Sequence, residues 1–117
     1  MEIKHPREGD VLPIPFEFTT FDPQWVWIYG NAVLIAGGAH DIVILLRLVK
    51  WGEMPPFWIH RLLRHVIKES KERGYRRYMT WLANDIEEEK QLLKVAAKYG
   101  AYFEPFSGDL AVGEIHA

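Results

Sequence analysis

The sequence has no cysteine among its 117 residues. This absence excludes disulfide bonds, thiolate catalysis and every metal site that uses a cysteine ligand. It leaves the redox compartment of the protein open.

The chain also lacks a long apolar run and an excess of positive charge. No uncharged apolar stretch reaches the roughly 18 residues that a membrane span needs. The charged, proline-bearing start MEIKHPREGD does not have the apolar core of a signal peptide. Fourteen Lys and Arg against sixteen Asp and Glu give a net charge of −2. The chain therefore has no overall positive potential that would attract nucleic acid. We therefore predict a soluble protein that does not span a membrane, is not secreted by a signal peptide and does not bind nucleic acid.

Aromatic side chains, in contrast, are abundant: five Trp, five Tyr and six Phe. Most are expected to fill the core, and others are candidates for contact with a ligand or a protein partner. The candidates for an exposed patch are Phe16, Phe18, Phe21, Trp25, Trp27, Trp51, Trp58 and Trp81. The alternative is that the aromatic start of the chain packs over an open sheet edge.

Residues 1–24 are predicted to form an extended arm, followed by a single domain over residues 25–117. Prolines are so frequent in this segment that a long helix is excluded. Apolar side chains alternate with other residues at Ile14, Phe16 and Phe18, which favours an edge strand or an extended strip with one apolar face.

Three strands in a meander are predicted next. WVWIY at 25–29 and AVLIA at 32–36 flank the turn Gly30-Asn31, and residues 37–41 form a second turn. The third strand, IVILLRLVKW at 42–51, is an almost unbroken apolar run. Such a run is typical of a strand that is covered on both faces, so we place it at the centre of the sheet.

Two helices and three more strands complete the prediction. After Pro55-Pro56, an apolar stripe at helical spacing predicts a helix that stops at Gly74. RYMTWLA at 77–83 is strand-like, and Asn84 with Glu87 forms a capping-box pattern for a second helix that closes at Gly100. AYFEPF and LAVGEI form a final hairpin.

This order predicts an α/β (α+β) fold with a mixed, mostly antiparallel sheet, one parallel strand pair and two main helices. The parallel pair follows from the strand, helix, strand connection, which requires a crossover. Any function that depends on the fold is expected in the loop after the central strand, since ligands collect beyond the carboxyl ends of such strands.

From Trp25 to Ile115 this order resembles the core of the GNAT acetyltransferase fold, from its second strand onward and without its N-terminal helices. Tyr29-Gly30, Ile35-Ala36-Gly37-Gly38 and the helix closing on Gly100-Ala101 are similar to small acetyltransferase-like proteins of short-tailed phages, of the virion and internal-core type.

The resemblance implies acyl transfer from acetyl-CoA to an amine of a protein or a small molecule. It implies that CoA is held by strand backbone beyond Arg47 to Lys50 and by a phosphate loop that retains Gly52. Tyr99 is the candidate for the family's general acid, although the matching helical position holds Ala96. From its own chemistry, His40 beside Asp41 is a candidate base, and a plain polar turn is the alternative.

Three departures from the family pattern favour a degenerate scaffold. The loop has one glycine, two prolines without N–H groups, and Glu53 where a diphosphate needs positive potential. The tyrosine is displaced, and the arm leaves no room for the substrate-gripping helices. The leading hypothesis is a protein without cofactor that acts by protein contacts in virion assembly or host interaction, located in the host cytoplasm or the virion. The alternative is an active, acetyl-CoA-dependent enzyme, and homo-oligomerisation stays open.

No metal site is predicted. His60 and His65 are five residues apart, so they project in different directions from the first helix. The outer face of that helix is basic, which indicates a solvated face or docking on an acidic partner. Its cations are Arg61, Arg64, Lys68, Lys71 and Arg73, with Arg76 and Arg77 just beyond.

Overall fold

A computed structural model describes residues 2–7, 10, 22–82, 86–99, 102–104 and 109–115. Within these ranges the chain forms one seven-stranded sheet and two α-helices. The strands are β1 (Ile3–Lys4), β2 (Val26–Tyr29), β3 (Ala32–Ala39), β4 (Ile42–Lys50), β5 (Arg77–Leu82), β6 (Tyr102–Glu104) and β7 (Asp109–Glu114). The helices are α1 (Trp58–Glu72) and α2 (Glu87–Lys98), and a short 3-10 helix covers Pro23–Trp25.

The sheet has the order β1-β2-β3-β4-β5-β7-β6, so β4 lies at its centre as predicted. Strands β4 and β5 are parallel, and the other neighbouring pairs are antiparallel. The predicted fold class and element order are therefore confirmed. An edge strand also exists in the arm, at Ile3–Lys4 against β2. The predicted one at Ile14 to Phe18 lies outside the described residues.

Burial of the central strand differs from the prediction. Leu46 of β4 is 39% exposed, and buried and partly exposed residues alternate along the strand. The strands that are buried on both faces are instead β2 and the first five residues of β3. One face of the sheet packs against α1 and α2 in the main core, while Val26, Ile28, Val33 and Ile35 form a second core on the other face.

Several predicted boundaries also shift. Trp25 belongs to the 3-10 helix rather than to β2, and β3 runs to Ala39, so the second turn is confined to His40 and Asp41. Gly38 lies within this strand, and its lack of a side chain makes room for Trp25, because a Cβ there would lie 2.6 Å from the Trp25 ring. Helix α2 begins after Ile86, which is its N-cap, and no side chain of the described residues caps it. The predicted capping box depends on Asn84, which lies outside the described residues.

Candidate functional site

The sheet opens in its middle, between β4 and β5. Their parallel pairing runs from Ile42 opposite Arg77 to Leu45 opposite Thr80, and then ends. At the same point β4 contains a bulge, because Ile35 of β3 pairs with Arg47 and the next residue of β3 pairs with Leu45. A bulge bends its strand and strengthens the local twist, so β4 leaves β5 here. The result is a gap beside the second half of β4, called the splay below.

Glu89 enters this splay from the first turn of α2. Its side chain is fully buried, and Oε1 accepts hydrogen bonds from the backbone N–H of Leu48 at 3.1 Å and from Nε of Arg47 at 2.9 Å. A buried carboxylate requires partners of this kind, since an unpaired one would be strongly destabilising. The Glu89 carboxylate thus accepts a hydrogen bond from the Leu48 N–H of β4, beyond the point where the pairing with β5 ends.

The loop after β4 folds back onto the turn between β2 and β3. The side chain of Asn31 donates to the carbonyl of Glu53 at 3.1 Å, and Trp51 N–H donates to the carbonyl of Asn31 at 2.9 Å. Gly52 permits this close approach, because a Cβ there would lie 2.8 Å from the Asn31 amide nitrogen. Gly52 therefore has a packing role. In the same loop, Pro55 and Pro56 have no N–H groups to offer before α1 begins.

A cleft of about 290 Å³ lies between the start of α1 and one side of α2. Its walls come from Trp58 and Ile59 on α1 and from Val95 on α2, and Lys94 and Lys98 are part of its rim. Among the described residues, no side chain caps the N-terminus of α1, so the N–H groups of its first turn add positive potential nearby.

Phe57 stands at the lip of this cleft. It is the N-cap residue of α1, has a left-handed backbone with φ of 61°, and is 78% exposed. A bulky residue in this conformation is strained, and an exposed aromatic ring contributes little to folding. Strain and exposure in one residue are typical of a position that contacts something outside the fold.

Two tyrosines lie on the inner side of α2. The Tyr99 hydroxyl is 2.9 Å from Nε2 of His60, and the two rings are 5.2 Å apart. Tyr78 on β5 donates to the carbonyl of Ala96 at 3.2 Å. Burial, together with the nearby Tyr99 phenol, raises the pKa of Tyr78 to about 12, so this hydroxyl stays protonated. Tyr78 is a structural link between β5 and α2.

The predicted site residues do not come together as one site. Arg47 lies at the splay and Gly52 under Asn31, while Lys50 is exposed at the end of β4. Tyr99 meets His60 near the start of α1. His40 sits in the exposed turn before β4, at the other end of a nine-residue strand, which corresponds to about 30 Å.

Glu89, His60, Lys94 and Lys98 were not predicted as parts of the site. Glu87, Glu88 and Glu89 together read as acidic residues that favour a helix N-terminus. The signal in the sequence was helical spacing: Glu89 precedes the apolar residues Leu92, Leu93 and Ala96 by three, four and seven positions, so it lies on the same buried face of α2.

A second polar cluster ties the arm to α1 around Glu69. Its carboxylate contacts the His5 ring and accepts from Trp27 Nε1 at 3.0 Å and from Arg73 at 2.7 Å. His65 Nε2 is a further partner, at 3.0 Å. Partial burial alone would raise the pKa of Glu69, but these hydrogen bonds and the charges of His5 and Arg73 outweigh it and lower the pKa to about 2.

A wider depression of about 610 Å³ lies at the opposite end of the molecule, beside the C-terminus of α1. Asp41 and Arg77 form an ion pair there at 2.9 Å, and this hydrogen bond lowers the pKa of Asp41. Lys71, Arg76 and Arg77 also line this depression, which lies at the negative end of the α1 dipole. The smaller cleft lies beside the positive start of α1, which follows the loop after β4, so we place the candidate site in that cleft and the splay.

Two further absences concern the described part of the chain. Its His, Asp and Glu side chains form no cluster of three or more that could hold a metal ion. Neither of the two helices has the length and apolarity that a membrane span requires.

Comparison with known proteins supports the fold alone. No protein-family model matches the chain, and no curated protein sequence matches it. Among solved structures, the crystal structure of a Lactobacillus plantarum protein, provisionally described as an N-acetyltransferase, aligns with a TM-score of 0.61. The alignment covers 93% of this chain and 81% of that chain at 11% sequence identity.

The fold is acetyltransferase-like. The mixed sheet, its one parallel pair and the two helices match the expectation from the sequence. The resemblance stated above implies that a CoA cofactor would lie at the splay and at the start of α1. Glu89 in the splay, and Glu53, Pro55 and Pro56 in the loop, do not fit such a cofactor.

Proposed function

We propose that this chain is a catalytically degenerate acetyltransferase-like protein that acts through protein contacts. The observation that carries the proposal is the hydrogen bond from Leu48 N–H to the buried Glu89 carboxylate, at 3.1 Å. In the family that the sequence resembles, strand backbone in this region holds the cofactor. A carboxylate that is already hydrogen-bonded there blocks that contact and repels an anionic ligand.

The loop after β4 supports the same proposal. A diphosphate bound there would meet Glu53, which is exposed, and would find no N–H donors at Pro55 and Pro56. Contact between Asn31 and the Glu53 carbonyl holds the loop against the β2 to β3 turn. The phage resemblance suggests virion assembly or host interaction as the setting.

A second candidate is an active N-acyltransferase that uses acetyl-CoA. The cleft favours it, because Lys94 and Lys98 and the uncapped start of α1 offer positive potential to phosphates. Tyr99 and His60 lie beside this cleft and are the candidate proton-transferring groups.

Isothermal titration calorimetry with acetyl-CoA tests both candidates. We expect no binding by the full chain up to millimolar cofactor, while a functional acetyltransferase titrated in parallel gives a normal isotherm. A micromolar dissociation constant would overturn the proposed function. In that case the Lys94→Glu/Lys98→Glu variant should lose the binding, and acetyl transfer to peptide or polyamine panels should be detectable.

A further inference from the structure

The two helices present a basic surface. On α1, Arg61, Arg64, Lys68 and Lys71 are all exposed. They follow one side of the helix over about 15 Å, since each residue adds about 1.5 Å. On α2, Lys90, Lys94 and Lys98 are exposed at a spacing of four residues. We call these seven side chains the basic helical face.

None of these seven cations forms an ion pair within the described part of the chain. The exposed acids beside them are Glu72 on α1 and Glu87 on α2, and Glu87 contacts Gln91 at 3.3 Å. The face is therefore strongly positive although the whole chain carries a net charge of −2. Such one-sided charge attracts an acidic partner and orients its approach.

The cleft of about 290 Å³ borders this face, because two of the seven cations, Lys94 and Lys98, line it. Its apolar walls are Trp58, Ile59 and Val95, and the Phe57 ring stands at the lip. Lys94 and Lys98 on the rim place two cations next to an apolar recess. This pairing of features matches a ligand that brings one apolar side chain flanked by negative charges.

The apolar recess distinguishes among the anionic partners. A nucleic-acid duplex offers regularly spaced phosphates and keeps its bases stacked inside, so it has no apolar group that would enter a recess between cations. A membrane surface is contacted by several protruding apolar residues, whereas this cleft has one among the described residues, Phe57, beside a concave recess. An acidic protein segment with an apolar anchor supplies both components.

We infer that the basic helical face and its cleft bind an acidic segment of a partner protein, with an apolar side chain of that segment inserted between α1 and α2. The inference rests on the proposed function, because a cleft that held CoA would not be open to a peptide. It names the class of partner for the protein contacts proposed above.

Fluorescence anisotropy with synthetic peptides tests the inference on the 117-residue chain. The probe is a fluorescein-labelled, glutamate-rich peptide with one central phenylalanine. Matched probes replace the phenylalanine by serine or the glutamates by lysines, and a labelled single-stranded oligonucleotide of equal charge represents nucleic acid. We expect the first peptide to bind most tightly and to weaken as salt is raised, because salt screens the exposed charges.

Two variants locate the binding. Lys94→Glu/Lys98→Glu should lower the affinity for the phenylalanine peptide by about tenfold or more, which corresponds to about 1.4 kcal/mol of binding free energy. The control Lys4→Glu/Arg7→Glu makes the same change in net charge on the exposed arm and should leave binding unchanged. Phe57→Asn places at this position a residue that tolerates a left-handed backbone. It should weaken binding only of the peptide that carries the phenylalanine anchor.

The outcomes are distinct. Equal loss in both double variants would overturn the inference, because binding would then depend on net charge alone. Tighter binding of the oligonucleotide, with no effect of the anchor, would identify a nucleic-acid surface and also overturn it. Failure of peptide binding without binding of acetyl-CoA would overturn the inference and leave the proposed function in place. Micromolar acetyl-CoA binding would remove the proposed function itself.

Discussion

The Glu69 side chain connects three parts of the molecule: the arm, β2 and the end of α1. Its carboxylate takes donors from the arm through His5, from β2 through Trp27 and from α1 through Arg73. Arg73 also lies over the rings of Trp25 and Trp27, at 5.1 and 5.7 Å from their centroids. The basic outer face predicted for α1 is thus interrupted at Glu69 by a partly buried network.

The lowered pKa of Glu69 predicts acid lability. The folded-state pKa of Glu69, about 2, lies below the ordinary glutamate value of 4.5. Its contribution to the free energy of unfolding is therefore complete above about pH 4.5 and is lost as pH falls toward 2. The shift corresponds to about 3 kcal/mol, and partial solvent exposure reduces this to about 2 kcal/mol. Urea denaturation across this pH range measures the loss.

The control for this prediction is Glu69→Gln, which cannot titrate. The stability difference between the unmodified chain and this variant should shrink steadily below about pH 4.5. A difference that stays constant down to pH 2, within error, would assign the acid sensitivity to other carboxylates.

At the scale of elements, the decisive contact is that of α2 with β4. The bulge at Leu46 and the end of β4 to β5 pairing coincide, and Glu89 from α2 fills the opening. After the bulge Leu48, rather than Arg47, shares the main core with Leu45. The central strand therefore changes which residues face inward, as a one-residue insertion requires.

Removal of the Glu89 carboxylate should loosen this junction. Glu89→Ala leaves the Leu48 N–H and the Arg47 guanidinium without this acceptor, which should lower the free energy of unfolding by about 2 to 3 kcal/mol. Glu87→Ala, on the same helical turn but exposed, should change it by no more than about 0.5 kcal/mol. Urea denaturation followed by circular dichroism compares the two, and equal effects would contradict a structural role for Glu89.

An independent readout is hydrogen exchange at Leu48. In the unmodified chain this amide should exchange slowly, because it donates to a buried carboxylate. Glu89→Gln keeps an acceptor and should preserve most of the protection, while Glu89→Ala should remove it.

At the scale of the whole molecule, the arm closes one edge of the sheet. Ile3 and Lys4 pair with Tyr29 and Ile28 of β2, and His5 donates to the carbonyl of Val26 at 2.8 Å. An unpaired edge of β2 would be a template for association with a second chain.

Deletion of residues 1–7 should therefore both destabilise the protein and promote its self-association. Size-exclusion chromatography with light scattering, at several concentrations, measures association, and thermal denaturation measures stability. His5→Ala is the matched control, because it removes the Glu69 contact and keeps β1, so it should lower the melting temperature without association. A truncated chain that stays monomeric would mean that β1 does not protect the edge.

The order of elements was predictable because it depends on local patterns. Apolar spacing identified α1, alternation and turn residues identified β2, β3 and the last hairpin, and the strand, helix, strand order required the parallel pair. Boundaries at Trp25, Ala39 and Ile86 were missed, since packing of Trp25 over Gly38 and the entry of α2 into the core depend on distant residues.

By itself, the sequence determined the fold class, the central place of β4 and the exclusion of cysteine chemistry. Only the tertiary structure decided where the sheet opens and that Glu89 fills the opening, because both depend on side chains far apart in the chain. It likewise brought Lys94 and Lys98 beside the start of α1. Net charge could not predict the basic helical face, since folding places cations on one side while the total stays at −2.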